Sequence, residues 1–233
     1  MTDSALVYSY QFNLPEKEPI RLNIEIDSST ITLEPNDNTS IFWTELGFNQ
    51  CANCPLNIAE HPVCPVAQNL IPLLDISNAL VSYQEVSVII TSDNRCTSAT
   101  TTMQRAMSSA LGLVMATSPC PHLEFLKPMA RFHLPLASEE ETVYRTTSMY
   151  MLAQYFRNQQ GMSYELGFEG LTQKYANLKT VNRALANRIR AAIKQDATVN
   201  AIILLDLLSQ AVTYSIEDQL DELQPLFKSL LMD

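Results

Sequence analysis

Ile20-Arg21-Leu22-Asn23-Ile24-Glu25-Ile26 alternates apolar and polar side chains without a break, the pattern of a strand with one face in a core and the other in water. The neighbouring residues extend this reading in both directions. Upstream, Leu6-Val-Tyr-Ser-Tyr-Gln-Phe12 is rich in β-formers; downstream, Asp27-Ser28-Ser29 is a hairpin-turn sequence and Thr30-Ile-Thr-Leu33 reads as a further strand. Val86, Val88 and Ile90 alternate again, and Asp93-Asn94 turns the chain into Arg95-Cys96-Thr97. The sheet is expected to end near residue 100.

Beyond that point the apolar spacing changes from two to between three and four. Residues 103–117 read as a helix stopped by Ser118-Pro119, because proline disfavours helical geometry in the residue before it. A short helix is expected to follow from Cys120 or Pro121. Ser138 with Glu141 three residues on is a capping box, after which Tyr144, Ser148, Met151, Leu152 and Tyr155 share one helical face. Leu171, Tyr175, Leu178, Leu185, Ile189 and Ile193 form the next stripe. Residues 199–212, apolar on most sides except for a strip with Asp206, read as the central helix. A last helix from Ser215 is kinked or shortened by Pro225. A short helix is also expected over 66–74. The predicted fold class is α+β: a small N-terminal antiparallel sheet with a cysteine knuckle, residues 1–100, packed on a C-terminal helical bundle, residues 101–233, in one shared core.

Composition narrows the function classes. Of 233 residues, 46% are hydrophobic and 17% charged, which suits a globular protein and excludes disorder as the main state. Only 5 glycines occur, which argues against a glycine-rich nucleotide loop. The net charge is −10, and it is concentrated: residues 1–100 hold 3 bases against 12 acids. Such a chain repels a phosphate backbone and an anionic membrane surface, so neither nucleic acid nor membrane is an expected partner. No segment approaches the roughly 18 apolar residues of a span, and no basic-then-apolar leader opens the chain, which predicts a cytoplasmic protein.

The strongest chemical signal is Gln50-Cys51-Ala-Asn-Cys54-Pro-Leu-Asn-Ile-Ala-Glu-His61-Pro-Val-Cys64-Pro65. A Cys-x2-Cys pair aims two thiolates into one tetrahedral site from a tight turn, and Cys64 can fold back as a third ligand. The predicted fourth ligand is Cys120, at an expected helix start whose N–H groups would stabilise a thiolate. His61, His122 and Cys96 are the alternates. Four protein ligands leave no open position for substrate, so zinc here would be structural. Cys54, Cys64 and Cys120 each precede proline, as cysteines do in iron–sulfur runs and in haem-binding Cys-Pro motifs, which keeps those two cofactors as alternatives. The plain alternative is a set of packed, reduced thiols, or an occasional disulfide.

The run Cys51-Ala-Asn-Cys54-Pro-Leu, His61-Pro-Val-Cys64-Pro-Val-Ala67, Thr117-Ser-Pro-Cys120-Pro-His122, Ala130-Arg-Phe-His-Leu-Pro135 and Ser138-Glu-Glu-Glu-Thr142 resembles an uncharacterised bacterial protein family over most of the chain. The resemblance implies a bacterial cytoplasmic protein. It supplies no activity and no functional residue.

Two further features have a chemical and a plain reading. Lys174, Lys179, Arg183, Arg188, Arg190 and Lys194 place six bases and no acid between Leu171 and Lys194. Lys179, Arg183, Arg190 and Lys194 share one flank, which docks an anionic ligand or partner or else stays solvated. His133 near Glu139, Glu140 and Glu141 offers an imidazole and carboxylates for general-base work, although first-turn acids and a packing histidine explain the same residues. The reading that follows is a non-enzymatic binding or regulatory protein with a structural zinc on Cys51, Cys54, Cys64 and Cys120, acting on a protein or small-molecule partner. The alternatives are a redox or cofactor sensor using the same cysteines, and an enzyme centred near His122, His133 and the Glu139 turn.

Overall fold

The computed structural model describes residues 5–35, 41–77, 81–192 and 216–232. The alternating segments form one four-stranded antiparallel sheet from β1 (Leu6–Asn13), β2 (Ile20–Ile26), β3 (Glu85–Ser92) and β4 (Arg95–Thr102), in the order β2-β1-β3-β4. β1 and β2 pair through a short turn, with Phe12 opposite Ile20 and Leu6 opposite Ile26. β3 returns after a long excursion and pairs with the other edge of β1, placing Tyr10 opposite Ile90. Tyr8, Tyr10 and Phe12, Leu22, Ile24 and Ile26, and Val86, Val88 and Ile90 all point to the buried face. Fully burying each large apolar side chain contributes about 1.5–3 kcal/mol, which fixes the register because a one-residue slip would turn all of them outward. β4 is an edge strand rich in Thr and Ser.

The strand expected at Thr30-Ile-Thr-Leu33 does not form; only an isolated bridge joins Asp27 to Thr32. Asp27 Oδ1 accepts from the N–H and hydroxyl of both Ser29 and Thr30, at 2.7–3.0 Å. That carboxylate captures the local backbone and drives Ile31 to a φ of 52°, so no strand geometry is left to propagate. The helix expected over 66–74 is two short ones, α1 (Pro65–Asn69) and α2 (Ile71–Ser77).

α3 (Met103–Thr117) follows β4 directly and is buried along most of its length. The 199–212 segment, expected as the central helix, lies outside the described residues; among those described, α3 occupies the centre. It ends as the proline rule predicts, with Ser118 extended (ψ 144°) before Pro119. The helix expected from Cys120 starts later. A turn and a 3-10 segment, Glu124–Leu126, precede α4 (Lys127–Arg131), so Cys120 is not at a helix start.

α5 (Glu139–Gln159) opens on the capping box: Glu141 N–H donates to Ser138 Oγ (3.1 Å) and Ser138 N–H donates to Glu141 Oε2 (2.7 Å). Its buried face is not the apolar one. Val143, Thr146, Thr147, Tyr150 and Gln154 face the core, while Tyr144, Leu152 and Tyr155 are exposed. The hydroxyls make this possible, since Thr147 donates to the Val143 carbonyl (2.8 Å) and Thr146 pairs with Tyr175 (2.8 Å). α6 (Glu169–Ala192) buries Leu171, Tyr175, Leu178, Leu185 and Ile189 as the stripe predicts; Ile193 lies outside the described residues.

Gly170, in the first turn of α6, approaches the Tyr150 hydroxyl and Glu165 so closely that a Cβ there would overlap both. α7 (Ile216–Leu223) buries Leu223 and gives way at Pro225 to a 3-10 turn, Gln224–Phe227. Beyond that turn Leu230 is exposed.

One hydrophobic cluster runs from Tyr8 and Tyr10 through Trp43, Leu46 and Cys64 to Leu185, Ile189 and Leu223. Sheet, cysteine segment and helices therefore share a core, and the fold is α+β.

Candidate functional site

The segment 41–64 contains no helix and is built from turns that bring its ends together. Thr44 Oγ1 accepts from Ile41 N–H (3.1 Å) and donates to the Ile41 carbonyl (2.8 Å), which fixes the entry and buries Trp43. Leu46 N–H donates to the Pro62 carbonyl and Cys64 N–H to the Thr44 carbonyl, both at 2.8 Å, closing a loop that carries Cys51 and Cys54. Within it Cys54 N–H donates to the Cys51 carbonyl (3.0 Å), the tight turn that a Cys-x2-Cys pair needs. Cys64 is buried at the cap position of α1, with Pro65 as the first helical residue.

Cys120 reaches this loop from the far end of α3. His122 Nε2–H donates to the Asn53 carbonyl (2.6 Å), between Cys51 and Cys54. Asn53 Nδ2 in turn donates to the Asn177 carbonyl of α6 (3.3 Å). Asn69 Nδ2 ties α1 to Ser118 Oγ (3.1 Å). These bonds draw together three stretches that are remote in sequence.

All five cysteines are reduced. Burial pushes the Cys120 thiol up to about 12; His122 N–H, donating to its sulfur, acts against this, and Cys64, Cys51 and Cys54 add to it. Burial likewise pushes Cys51 up to about 11, with Cys64 and Cys54 adding and the Arg188 guanidinium opposing. The thiolate stabilisation expected of Cys120 from a helix start is therefore absent, because no helix starts there and the side chain is desolvated. Cys51, Cys54, Cys64 and Cys120 nonetheless lie within electrostatic range of one another. His61 is exposed on the outer turn, and Cys96 is exposed on β4. Among the described residues, no group of three or more His, Cys, Asp or Glu side chains already stands at metal-holding spacing.

Arg188 completes the knuckle, and the sequence reading missed its part. It is 1% exposed, and its guanidinium donates to the carbonyls of Trp43 (2.8 Å), Glu45 (2.7 Å) and Leu46 (2.8 Å). No carboxylate pairs with it among the described residues, and its Nε has no hydrogen-bond partner. The helical spacing held the clue: Arg188 falls three residues after Leu185, across the apolar stripe from the flank of Lys179, Arg183 and Arg190. On that flank Arg183 and Arg190 are exposed, Arg190 donates to Asn187 (3.2 Å), and Lys194 lies outside the described residues.

The residues of the enzyme reading fall in two places. His122 belongs to the cysteine cluster, and Glu141 is held in the capping box. His133 and Glu139 line a separate cavity of about 430 Å³ between α3, α4, α5 and α6. His133 Nε2 is bonded to the Tyr10 hydroxyl (2.7 Å), which also meets Ser109 Oγ (3.1 Å). Burial, with Arg145 nearby, pushes His133 down to about 3, so the imidazole is neutral.

The chain belongs to the family described as a domain of unknown function (DUF6901), whose model matches residues 6–228. No curated protein and no solved structure matches it. Among the described residues no helix is long and apolar enough to cross a membrane.

Proposed function

We propose that Cys51, Cys54, Cys64 and Cys120 hold one structural zinc ion, and that this DUF6901 chain is a non-enzymatic binding or regulatory protein whose knuckle the metal fastens to the helical half. The observation that carries the reading is Arg188. A buried cation is costly unless an anion faces it, and here it faces neutral carbonyls and the Cys51 thiol. Zinc on four thiolates bears two net negative charges, which would supply the missing counter-charge beside that guanidinium.

The donor set is soft and thiol-only, as tetrahedral zinc or an iron–sulfur cluster prefers. Closing on the metal requires the thiols to turn inward and give up protons that burial now holds, so loading would release protons. Bound metal would supply a rigid crosslink, while Arg188 orients the loop by gripping its three carbonyls and His122 clamps Asn53. An odd total of five cysteines, three of them within fourteen residues, suits a reducing, cytoplasmic setting.

Elemental analysis and an absorbance spectrum of the purified full chain test this. A colourless protein with one equivalent of zinc supports the reading. A brown or red preparation containing iron assigns the same thiols to an iron–sulfur or haem sensor. Metal-free protein whose stability is unmoved by added zinc overturns both.

A further inference from the structure

We propose that the cavity between α3, α4, α5 and α6 is a binding site for a small acidic amphiphile, an apolar body carrying one carboxylate. The inference does not depend on the metal. About 430 Å³ of space falls within the roughly 300–1,000 Å³ of small-molecule pockets. α3 makes the room: Ser108, Ser109, Gly112 and Ala116 line the cavity at helical spacing, while Met107, Leu111 and Val114 occupy its packed side. Leu113, Leu126, Met129 and Leu178 provide apolar wall for a tail.

The polar end of the cavity favours an anion. Among the described lining residues, Arg105 and Arg145 face the one carboxylate of Glu139, and His133 is neutral, so the lining is net positive on a chain of net charge −10. Arg145 Nη2 donates to the carbonyls of Met129 (3.0 Å) and Phe132 (2.8 Å), and Arg105 Nη2 to that of Leu136 (3.2 Å). Carbonyl partners fix these guanidiniums without cancelling their charge, and the Glu141 carboxylate, tied into the capping box, acts on Arg145 only at range; this is preorganisation for a carboxylate that accepts from the remaining N–H groups. The exposed residues Arg105, Ser138 and Glu139 mark the mouth. The Tyr10 hydroxyl bonds both Ser109 Oγ and His133 Nε2, and Leu136 N–H donates to Ser109 Oγ (3.2 Å), so these polar groups compete little for the head group.

Titration calorimetry of the full chain with decanoate and with decan-1-ol tests the proposal. Decanoate should bind one to one and at least roughly tenfold tighter than the alcohol, a difference of one charge-assisted contact. Arg105→Gln should lower decanoate affinity about tenfold and leave decanol unchanged. Gly112→Leu replaces a poor helix former with a strong one while filling the cavity, and should abolish binding of both with an unchanged circular-dichroism spectrum. Equal binding of acid and alcohol, no binding of either, or decanoate binding that survives Gly112→Leu overturns the proposal.

Discussion

The cysteine knuckle gathers beyond the C-terminal end of α3 while the His133 cavity runs along that helix from Arg105 to Ala116, and the two are incomplete in opposite ways. At the knuckle the atoms are close together but short of partners: Arg188 Nε and Asn53 Oδ1 are buried without a hydrogen bond, and a guanidinium faces thiols that burial keeps protonated. At the cavity the polar groups are bonded in sequence from Leu136 to Ser109, Tyr10 and His133, and what is missing is matter. A shortage of charge partners and an excess of empty volume call for different ligands. The first suits a cation that converts thiols to thiolates, the second an organic molecule that fills space.

The largest expected effect is on the knuckle. Chelator treatment, or Cys54→Ser, should remove the metal and cost a large share of the stability, with the roughly 10–16 kcal/mol of isolated zinc peptides as an upper bound. Thermal unfolding with metal analysis checks this, and Cys96→Ser, on β4, should change neither. An unchanged metal content in Cys54→Ser would strike that residue from the ligand set.

Arg188→Leu should follow in size, at about 3–5 kcal/mol in urea unfolding, because it strands three buried carbonyls at once. A loss below about 1 kcal/mol would mean that the loop has another anchor.

The pH response separates the regions further. Raised thiol values mean that the folded, metal-free chain holds its protons more tightly than the unfolded one. Their contribution is complete below the ordinary thiol value of 9 and is lost as pH climbs through about 11 and 12, so metal-free protein should show an alkaline loss that metal-loaded protein lacks. His133 acts at the other end of the scale. Its value is lowered, so its contribution is complete above the ordinary 6.5 and is lost as pH falls toward about 3. Tyr10→Phe deletes the bond to His133 and should cost about 1–2 kcal/mol at neutral pH, measured by denaturant unfolding, while leaving the metal in place.

The smallest effect is expected at the mouth of the cavity, away from the knuckle. Ser138→Ala removes the side-chain acceptor at the start of α5 and should cost about 1 kcal/mol. A clear change in metal content in that variant would show that the two regions are coupled through the helices.

Much of the fold was legible because its determinants are local. A run of β-formers marked β1, period-two alternation marked β2 and β3, the Asp93-Asn94 turn marked the β3–β4 hairpin, and Ser138 with Glu141 marked the start of α5. Reading failed where a polar side chain changed the local rule. Asp27 captured the backbone at 27–30 and displaced a strand, and Thr146 and Thr147 satisfied their hydroxyls inside the protein, letting α5 bury a polar face and expose Tyr144 and Leu152. The candidate site divides the same way. Cys51, Cys54 and Cys64 announced themselves by spacing, and Cys120 was chosen for a helix start that does not exist, although it reaches the cluster by another route, the His122 clamp on Asn53.

Sequence alone determined most of the strands and helices and which residue types could bind a soft metal, since periodicity, caps and Cys-x2-Cys spacing act over a few residues. Tertiary structure alone decided that Arg188 abandons the basic stretch of α6 to grip carbonyls some 142–145 residues away. It also decided that His133 shares a cavity with two arginines and Glu139. The physical reason is that desolvation and Coulomb forces depend on distance in space, and a one-dimensional pattern carries no record of which distant groups a folded core will bring together.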